Sequence, residues 1–231
     1  MQQIHNPYWP LESRANKSFT RSGSDDSDLN TYTYNEDGYR GDSVKENIDL
    51  LAVGCSHTEG IGVNDNETWP FYTAELLGVK HINAGFTGRS NDYISRTVHQ
   101  LVLKYNPKVV AVMYTYPHRR EYWTEYGPQP YAPQRWGYFE DHLNKWNAFT
   151  ELSTPEENKN NFIKNHSIVS MVCKLVGCKL VWNGTFLDID LWDSNRFDGN
   201  YSIEKGKHAT PEQNKKYSED LVGYLKSNSY I

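Results

Sequence analysis

The stretch that decides the fold is LLAVGCSHTEGIGV, residues 50–63. Its first half is a continuous apolar run, which is typical of a strand buried on both faces of a sheet. The run ends at Gly54 in a group of polar residues that includes Ser56. A tight strand-to-helix turn needs glycine and accepts serine as a cap. The same turn would also expose a serine nucleophile at the carboxyl end of a parallel strand, so both interpretations stay open at this point.

Further strands and helices alternate after this turn. Three more apolar runs, KHINAG, PKVVAVMYTY and CKLVWNGTF, predict strands. ETWPFYTAELLG predicts a helix with Trp69, Tyr72 and Leu76 on its buried side, and further helices are expected from Ser90, up to Gly177 and from Thr210. This alternation predicts an α/β fold whose parallel sheet carries helices on both faces.

In such sheets, ligands bind beyond the carboxyl ends of the strands. The loops expected to form a site are therefore residues 54–66, 84–91 and 115–156, together with the segment before the last helix. Residues 115–156 form an aromatic-rich insertion, predicted to be irregular from residue 117 onward. We expect an N-terminal extension over residues 1–45 and a single domain over residues 46–231.

Composition limits the classes of function. With 231 residues, the chain can build one large core, and its formal charge of −5 argues against a nucleic-acid partner. The apolar runs are too short for a membrane span of about 20 residues. The three cysteines have no metal-ligand spacing. The N-terminal residues lack the pattern of a signal peptide, so we expect a soluble cytoplasmic protein. We expect it to need neither a metal nor a cofactor.

Three blocks in order resemble the SGNH/GDSL hydrolases. Residues 54–60, GCSHTEG, match the Gly-x-Ser-x-Thr-x-Gly block of that family, with Cys55 where Asp is usual. NAGFTGRSN looks like the second block, and His208 stands just before the last helix, as the catalytic His of the family does. Upstream, YTYNEDGYRGDS is similar to a lead-in of some SGNH-type proteins, including several from tailed bacteriophages. A phage-encoded protein would work in the host cytoplasm or the virion.

The resemblance implies a three-layer SGNH (flavodoxin-like) sheet and a set of residue roles. Ser56 would be the nucleophile and His208 its base, because a serine hydroxyl is a poor nucleophile until a base removes its proton. The backbone amides of Ser56 and Gly88 would bind the oxyanion. His57 would be a solvated neighbour of Ser56 and not a second base.

Two family positions differ in this chain. The third block normally supplies an Asn after the third strand, but Thr115, His118 and Arg119 stand there as alternative oxyanion or substrate-binding residues. The last block is normally Asp-x-x-His, and Lys205 occupies the place of Asp. Asp198 is the preferred replacement, with Glu204 as a poorer one. The acid orients the imidazole and stabilises its cation, so losing it weakens catalysis without abolishing it.

Other groups have competing interpretations. Three aspartates lie close together in the sequence, Asp188, Asp190 and Asp193. They could be metal ligands, but at this spacing we expect them to be solvated loop carboxylates. The aromatic insertion would be either a satellite core or a platform that stacks sugar rings. Cys55 is expected to be a packed residue and not a reactive thiol.

These features predict a serine esterase of SGNH type that removes an acyl group, acetyl being one candidate, from a carbohydrate or other small ester. The alternative is a non-catalytic SGNH-like protein that binds a glycan or serves as a virion component. An acyltransferase would use the same Ser-His pair with a sugar hydroxyl in place of water. The expected partner is a small-molecule or glycan ester, with no nucleic acid and no membrane, and the sequence leaves the oligomeric state open.

Overall fold

Strands and helices alternate through the central part of the chain. The computed structural model describes residues 14–22, 29–43, 47–124, 127–131, 140–184, 193–199, 201 and 207–231. The strands are β1 (Ser18–Ser22), β2 (Leu29–Thr33), β3 (Leu50–Gly54), β4 (His81–Gly85), β5 (Val109–Met113), β6 (Arg120–Thr124), β7 (Gly127–Tyr131) and β8 (Lys179–Asn183). The α-helices are α1 (Ser56–Glu59), α2 (Trp69–Leu77), α3 (Asn91–Tyr105), α4 (Glu140–Leu152), α5 (Pro155–Val176) and α6 (Pro211–Ser227).

The central sheet has four parallel strands in the order β4-β3-β5-β8. Leu50 of β3 lies opposite His81 on one side and Val109 on the other, so the strands end almost level. The four predicted strands and their parallel pairing are confirmed. Because parallel strands direct their carboxyl ends to one edge, Ser56 stands at the edge where the loops after β4, β5 and β8 also begin.

Helices cover both faces of this sheet, which confirms the predicted three-layer α/β fold. Alternate side chains of β3 enter opposite cores, since successive residues of a strand point to opposite faces: Leu51 and Val53 enter one, and Leu50 and Ala52 enter the other. The first core is shared with α3 and α5, and the second with α2 and α6. Each core therefore contains side chains of the strands and of two covering helices, which pack the sheet on both faces.

Local sequence signals set the helix ends. The Thr210 hydroxyl accepts a hydrogen bond from the Gln213 amide and begins α6, while Gly177 in the left-handed conformation ends α5. The buried side of α2 differs from the prediction. Trp69 is buried as predicted, but Tyr72 is only partly buried and Leu76 is 44% exposed. The other buried residues of the helix are Pro70, Thr73 and Ala74. The prediction for Leu76 was wrong because the face of α2 that meets α6 is centred on these residues.

The insertion at residues 115–156 is more regular than expected. It contains the antiparallel hairpin β6–β7 and the helix α4, and α5 begins at Pro155. Arg120, at the start of β6, pairs with Glu157 of α5 at 2.8 Å. The prediction of an irregular segment was therefore wrong, because short strands rich in Pro, Gln and aromatic residues lack the apolar alternation from which strands are recognised.

The segment before β3 forms a second hairpin, β1–β2, and packs on the domain. Tyr32, Tyr34 and Tyr39 of this segment are buried. The backbone of Arg40 forms an antiparallel β-bridge with Asn83 of β4. The region expected as an N-terminal extension thus contributes directly to the edge of the central sheet.

None of the helices in the described ranges combines the length and apolar character needed to cross a lipid bilayer.

Candidate active site

The turn after β3 is tightly folded around Ser56. A Cβ atom on Gly54 would lie 2.0 Å from the Thr58 hydroxyl oxygen, so only glycine fits there. Gly60 ends α1 in the left-handed conformation, with φ 81°. Ser56, the first residue of α1, is partly exposed, whereas Thr58 and Glu59 are fully buried. The turn therefore leaves Ser56 accessible and buries Thr58 and Glu59.

The loop after β4 lies directly against this turn. A Cβ atom on Gly85 would be 2.1 Å from the backbone nitrogen of Glu59, so the two segments touch without a side chain between them. The Thr87 amide donates a 2.6 Å hydrogen bond to Glu59 Oε2. Gly88 follows with φ 74°, in the region that favours glycine. The second sequence block is thus close to the first.

Arg119 connects the loop after β5 to the same turn. Its Nη1 lies 3.0 Å from the sulfur of Cys55 and donates a 3.0 Å hydrogen bond to the Thr115 hydroxyl. Thr115 is buried, and its backbone is held by both side-chain atoms of the Asn91 amide. Cys55 is buried and free of any disulfide, as expected of a packed residue. Of the three third-block candidates, Arg119 is the one with a contact to this turn.

His118, the remaining candidate, faces a different neighbour. Its ring stacks on Tyr116, with centroids 5.6 Å apart, and Tyr116 is 41% exposed. Arg119 lies 5.1 Å from the Tyr116 ring centre. Partial burial, Arg119 and Arg120 together lower the pKa of His118 below its usual value. The start of the insertion therefore presents a cation and an aromatic ring beside the turn.

His208, from the last segment of the chain, lies against His57, the residue that follows Ser56. The rings of His57 and His208 are 4.9 Å apart, and Tyr201 contacts His57 edge-on at 5.6 Å. Burial, aided by His208 and Arg119, lowers the pKa of His57 to about 3. His57 is partly exposed, as Ser56 is, and its ring contacts both Tyr201 and His208. It carries no charge near neutral pH, so it adds no positive charge beside His208.

Asp198 belongs to a fixed turn beyond β8. The side chain of Asn183, at the end of β8, donates hydrogen bonds to the carbonyl oxygens of Phe197 and Gly199. The Asp198 carboxylate, 55% exposed, accepts a 2.7 Å hydrogen bond from Arg196 Nε. Lys205 and Glu204 lie outside the described residues.

Asp193 takes part in a buried hydrogen-bond network. Its carboxylate contacts His166 Nε2 at 2.8 Å and accepts a 2.8 Å hydrogen bond from Trp182 Nε1. His166 Nδ1 is 3.1 Å from the Tyr114 hydroxyl. Asp193 is thus not the solvated loop carboxylate that was expected, because these bonds tether its segment to α5 and β8. Asp188 and Asp190 lie outside the described residues.

Sequence reasoning missed a group of charged residues behind the site. Arg14 and Tyr34 both contact the carboxylate of Glu59, at 2.6 and 2.7 Å. Arg40 donates to the carbonyl oxygens of Glu59 and Val63 and to Asp65. Tyr34 and Arg40 belong to the lead-in motif that precedes β3, and this motif was the available signal. The motif did not reveal that Tyr34 and Arg40 both donate hydrogen bonds to Glu59.

Several solved structures are similar to this chain at low identity. They include a G-D-S-L family lipolytic protein from Desulfitobacterium hafniense, with 16% identity and a TM-score of 0.38 over 78% of this chain and 100% of that one. A family 3 carbohydrate esterase from Clostridium thermocellum shares 15% identity, with a TM-score of 0.35 over 79% of this chain and 97% of its own. A catalytic mutant of an acetylxylan esterase from Geobacillus stearothermophilus shares 11%, with a TM-score of 0.36 over 79% and 94%.

The first of these three is described as a G-D-S-L family protein. No protein-family model matches the sequence, and no curated protein is significantly similar to it. At such identities and TM-scores, the likeness assigns no role to any residue of this chain.

Proposed function

We propose that the protein is a serine esterase of SGNH type that removes an acyl group from a carbohydrate or other small ester. The observation that carries this proposal is the contact between His208 and His57, because it brings a histidine from the last segment of the chain against the residue that follows Ser56. A serine at a strand end needs such a base to become a nucleophile. Acetyl is the acyl group we favour.

The reaction assigns a role to each group. Ser56 Oγ attacks the ester carbonyl carbon while His208 takes the hydroxyl proton, and the carbonyl oxygen becomes an oxyanion. The tetrahedral intermediate collapses, the bond to the alcohol oxygen breaks, and His208 returns its proton to the leaving alcohol. Water, activated by the same histidine, then attacks the acyl-enzyme and releases the carboxylic acid and free Ser56.

Oxyanion stabilisation is assigned to the backbone amides of Ser56 and Gly88 and to the Arg119 guanidinium. Arg119 stands in the place of the family's asparagine, and a charged donor makes a stronger hydrogen bond to an anion than an amide does. Its contacts with Cys55 and Thr115 support this role, because they hold the guanidinium next to the residue that precedes Ser56. Thr115 supports Arg119, and His118 with Tyr116 forms part of the substrate-binding surface.

Asp198 is assigned as the group that orients His208. The supporting observation is that Tyr201, three positions beyond it, lies against His57. The exposed carboxylate would exchange its bond with Arg196 for one with the imidazole when substrate binds. This assignment is separable from that of Ser56 and has its own test.

Hydrolysis of p-nitrophenyl acetate tests the proposal. Purified protein should release p-nitrophenol, and Ser56→Ala should lower kcat/KM by at least about 1000-fold, because removing a triad nucleophile leaves only oxyanion stabilisation and binding. Ser227→Ala is the matched control, since this hydroxyl lies at the exposed end of α6. Equal activity of Ser56→Ala and wild type would refute the proposal.

Asp198→Asn tests the orienting role. We expect kcat to fall about 100-fold or more, since an amide cannot stabilise the imidazolium that forms as Ser56 attacks. Asp220→Asn is the control, because this carboxylate pairs with Lys216 on the surface of α6. Unchanged turnover in Asp198→Asn would show that His208 is oriented by another group.

A second candidate is a non-catalytic protein that binds a glycan or belongs to a virion. The absence of asparagine and aspartate from the third and last sequence blocks favours it. This candidate predicts no ester hydrolysis by the wild type, together with glycan binding that Ser56→Ala leaves intact. An acyltransferase would instead consume the ester only when an acceptor sugar is present.

A further inference from the structure

Glu59 carries a fully buried carboxylate that contacts two separate parts of the chain. Its Oε1 accepts hydrogen bonds from Arg14 Nη1 at 2.6 Å and from the Tyr34 hydroxyl at 2.7 Å. Its Oε2 accepts a 2.6 Å bond from the backbone amide of Thr87. The side chain is 0% exposed. All three bonds are donated to the carboxylate, so both of its oxygens are used as acceptors.

The charge of this group is compensated inside the protein. Burial alone would raise the pKa of Glu59, but Arg14, the Tyr34 hydroxyl, Arg40 and the Thr87 amide together lower it below the usual value. A buried carboxylate is stable only with such partners. Glu59 therefore acts as an anion that fixes whatever donates to it.

The location of this anion connects it with the candidate active site. Glu59 is the last residue of α1, the helix that begins at Ser56. Thr87 immediately precedes Gly88, whose amide is the second proposed oxyanion donor. At Gly85, the loop and the helix are too close for a side chain to fit between them. One carboxylate thus joins the two segments whose amides must point at the same oxyanion.

We infer that Glu59 is a positioning residue for the ester hydrolysis proposed above, on which this inference rests: it holds the Thr87 amide and thereby orients the peptide of Gly88 toward Ser56. It does not touch substrate. Arg14 and Tyr34 keep the carboxylate ionised and aimed at Thr87.

Glu59→Gln changes this arrangement without changing its size. An amide offers one acceptor oxygen and two N–H donors. Arg14 requires the oxygen, so the NH₂ group must face the Thr87 amide, donor against donor. The loop that bears Gly88 should then move away. Adding Arg14→Met removes this requirement: the amide can turn, accept from Thr87 with its oxygen and donate to the Tyr34 hydroxyl oxygen.

The experiment measures p-nitrophenyl acetate kinetics and amide hydrogen exchange for the wild type, Glu59→Gln, Arg14→Met/Glu59→Gln and a control. We expect Glu59→Gln to lower kcat about tenfold, less than the ~100-fold or more that follows outright loss of an oxyanion donor, with KM changed less than about twofold. Exchange should accelerate at the Thr87 amide, which loses its acceptor. The double variant should recover kcat and protection, at least in part.

Glu121→Gln is the matched control. Glu121 is also buried, with a side chain 4% exposed, and is paired with Arg96, but none of its hydrogen bonds reaches α1 or Thr87. It should lose stability yet keep the wild-type kcat and the wild-type exchange at Thr87. A general effect of breaking a buried ion pair would instead appear in both single variants.

The outcomes separate this inference from the proposed function. An inactive wild type refutes the esterase, while the exchange data, which need no turnover, still decide whether Glu59 holds the Gly88 loop. Should Glu59→Gln fail to fold, the double variant, which lacks the unpaired cation, decides: slow exchange at Thr87 supports the inference, and rapid exchange there overturns it. An active wild type with unchanged kcat and exchange in Glu59→Gln overturns the inference, as does equal loss of kcat in Glu121→Gln.

Discussion

At the scale of single residues, two histidines are kept neutral by burial. The pKa of His57 is lowered to about 3 by burial, His208 and Arg119, and the pKa of His81 is lowered to about 4 by burial against a small opposing effect of Asp42. Both must gain a proton on unfolding once the pH lies below the ordinary value near 6.5. Near neutral pH, His57 therefore carries no charge.

These shifts predict an acid-sensitive stability. Between pH 6.5 and about 4, the unfolded chain binds a proton at His81 that the folded chain does not, so the free energy of unfolding falls as the pH falls through this window. One proton contributes at most about 1.4 kcal/mol per pH unit. His81→Gln should therefore flatten the pH dependence measured by urea denaturation. His99→Gln, on the exposed side of α3, is the control, and equal slopes for His81→Gln and wild type would contradict the prediction.

At the scale of elements, the site depends on how closely β3, α1 and the end of β4 approach one another. A Cβ atom at Gly54 would lie within 3 Å of the Thr58 side chain and of the Met113 carbonyl oxygen. A Cβ atom at Gly85 would lie within 3 Å of the backbone of Thr58 and Glu59. Apart from the buried Thr58 side chain, these contacts are with backbone atoms of the sheet and of α1, which cannot turn aside as a flexible side chain can. The spacing of the two oxyanion segments is therefore set by the lack of side chains between them.

Gly85→Ala should damage both stability and activity. The added methyl group would lie 2.1 Å from Glu59 N, so α1 and β4 must separate, at a cost of about 3 kcal/mol or more for overpacking in a tight region. Gly223→Ala is the control: this position lies in α6 with nothing within 4 Å of a Cβ, and alanine there should stabilise by up to about 1 kcal/mol. Thermal denaturation measures both. A Gly85→Ala protein as stable as wild type would mean that the close approach is not maintained in solution.

At the scale of the whole molecule, the residues before β3 complete the charge balance of the interior. Arg14, Tyr34 and Arg40 come from this segment and contact α1 and the loop behind it. Without them, Glu59 would be a buried anion with one backbone donor, and the carbonyl oxygens of Gly60 and Val63 would lose the donor that Arg40 supplies. The segment is thus part of the folding unit in this structure.

A chain that begins at residue 46 should not fold stably. Removing both arginines and the buried tyrosines leaves an uncompensated carboxylate, and breaking a buried pair by removing one partner typically costs about 3–5 kcal/mol. Far-UV circular dichroism and thermal denaturation of residues 46–231, beside the full chain, measure this. A cooperative transition at the wild-type temperature would show instead that the first 45 residues are a dispensable extension.

Local patterns were enough to predict the central architecture. The buried strands β3 and β5 are continuous apolar runs, and the helices that begin after Ser90 and Thr210 carry their own caps. Strand burial and helix capping depend on residues close together in the chain, so they can be recognised without the fold. The hairpin β6–β7 was missed because its strands lack this local pattern.

What the sequence determined by itself is the four-stranded parallel sheet, the position of Ser56 at its carboxyl edge, and the set of residues that follow each strand. Which of those residues meet was decided only by the tertiary structure. Arg119 reaches Cys55 across 64 positions of chain, and Arg14 reaches Glu59 across 45. Such pairs have no periodic signature, because contact between them depends on how the whole sheet and its covering helices bring distant loops to one edge. The chemistry of each side chain is local, but its partner is a property of the fold.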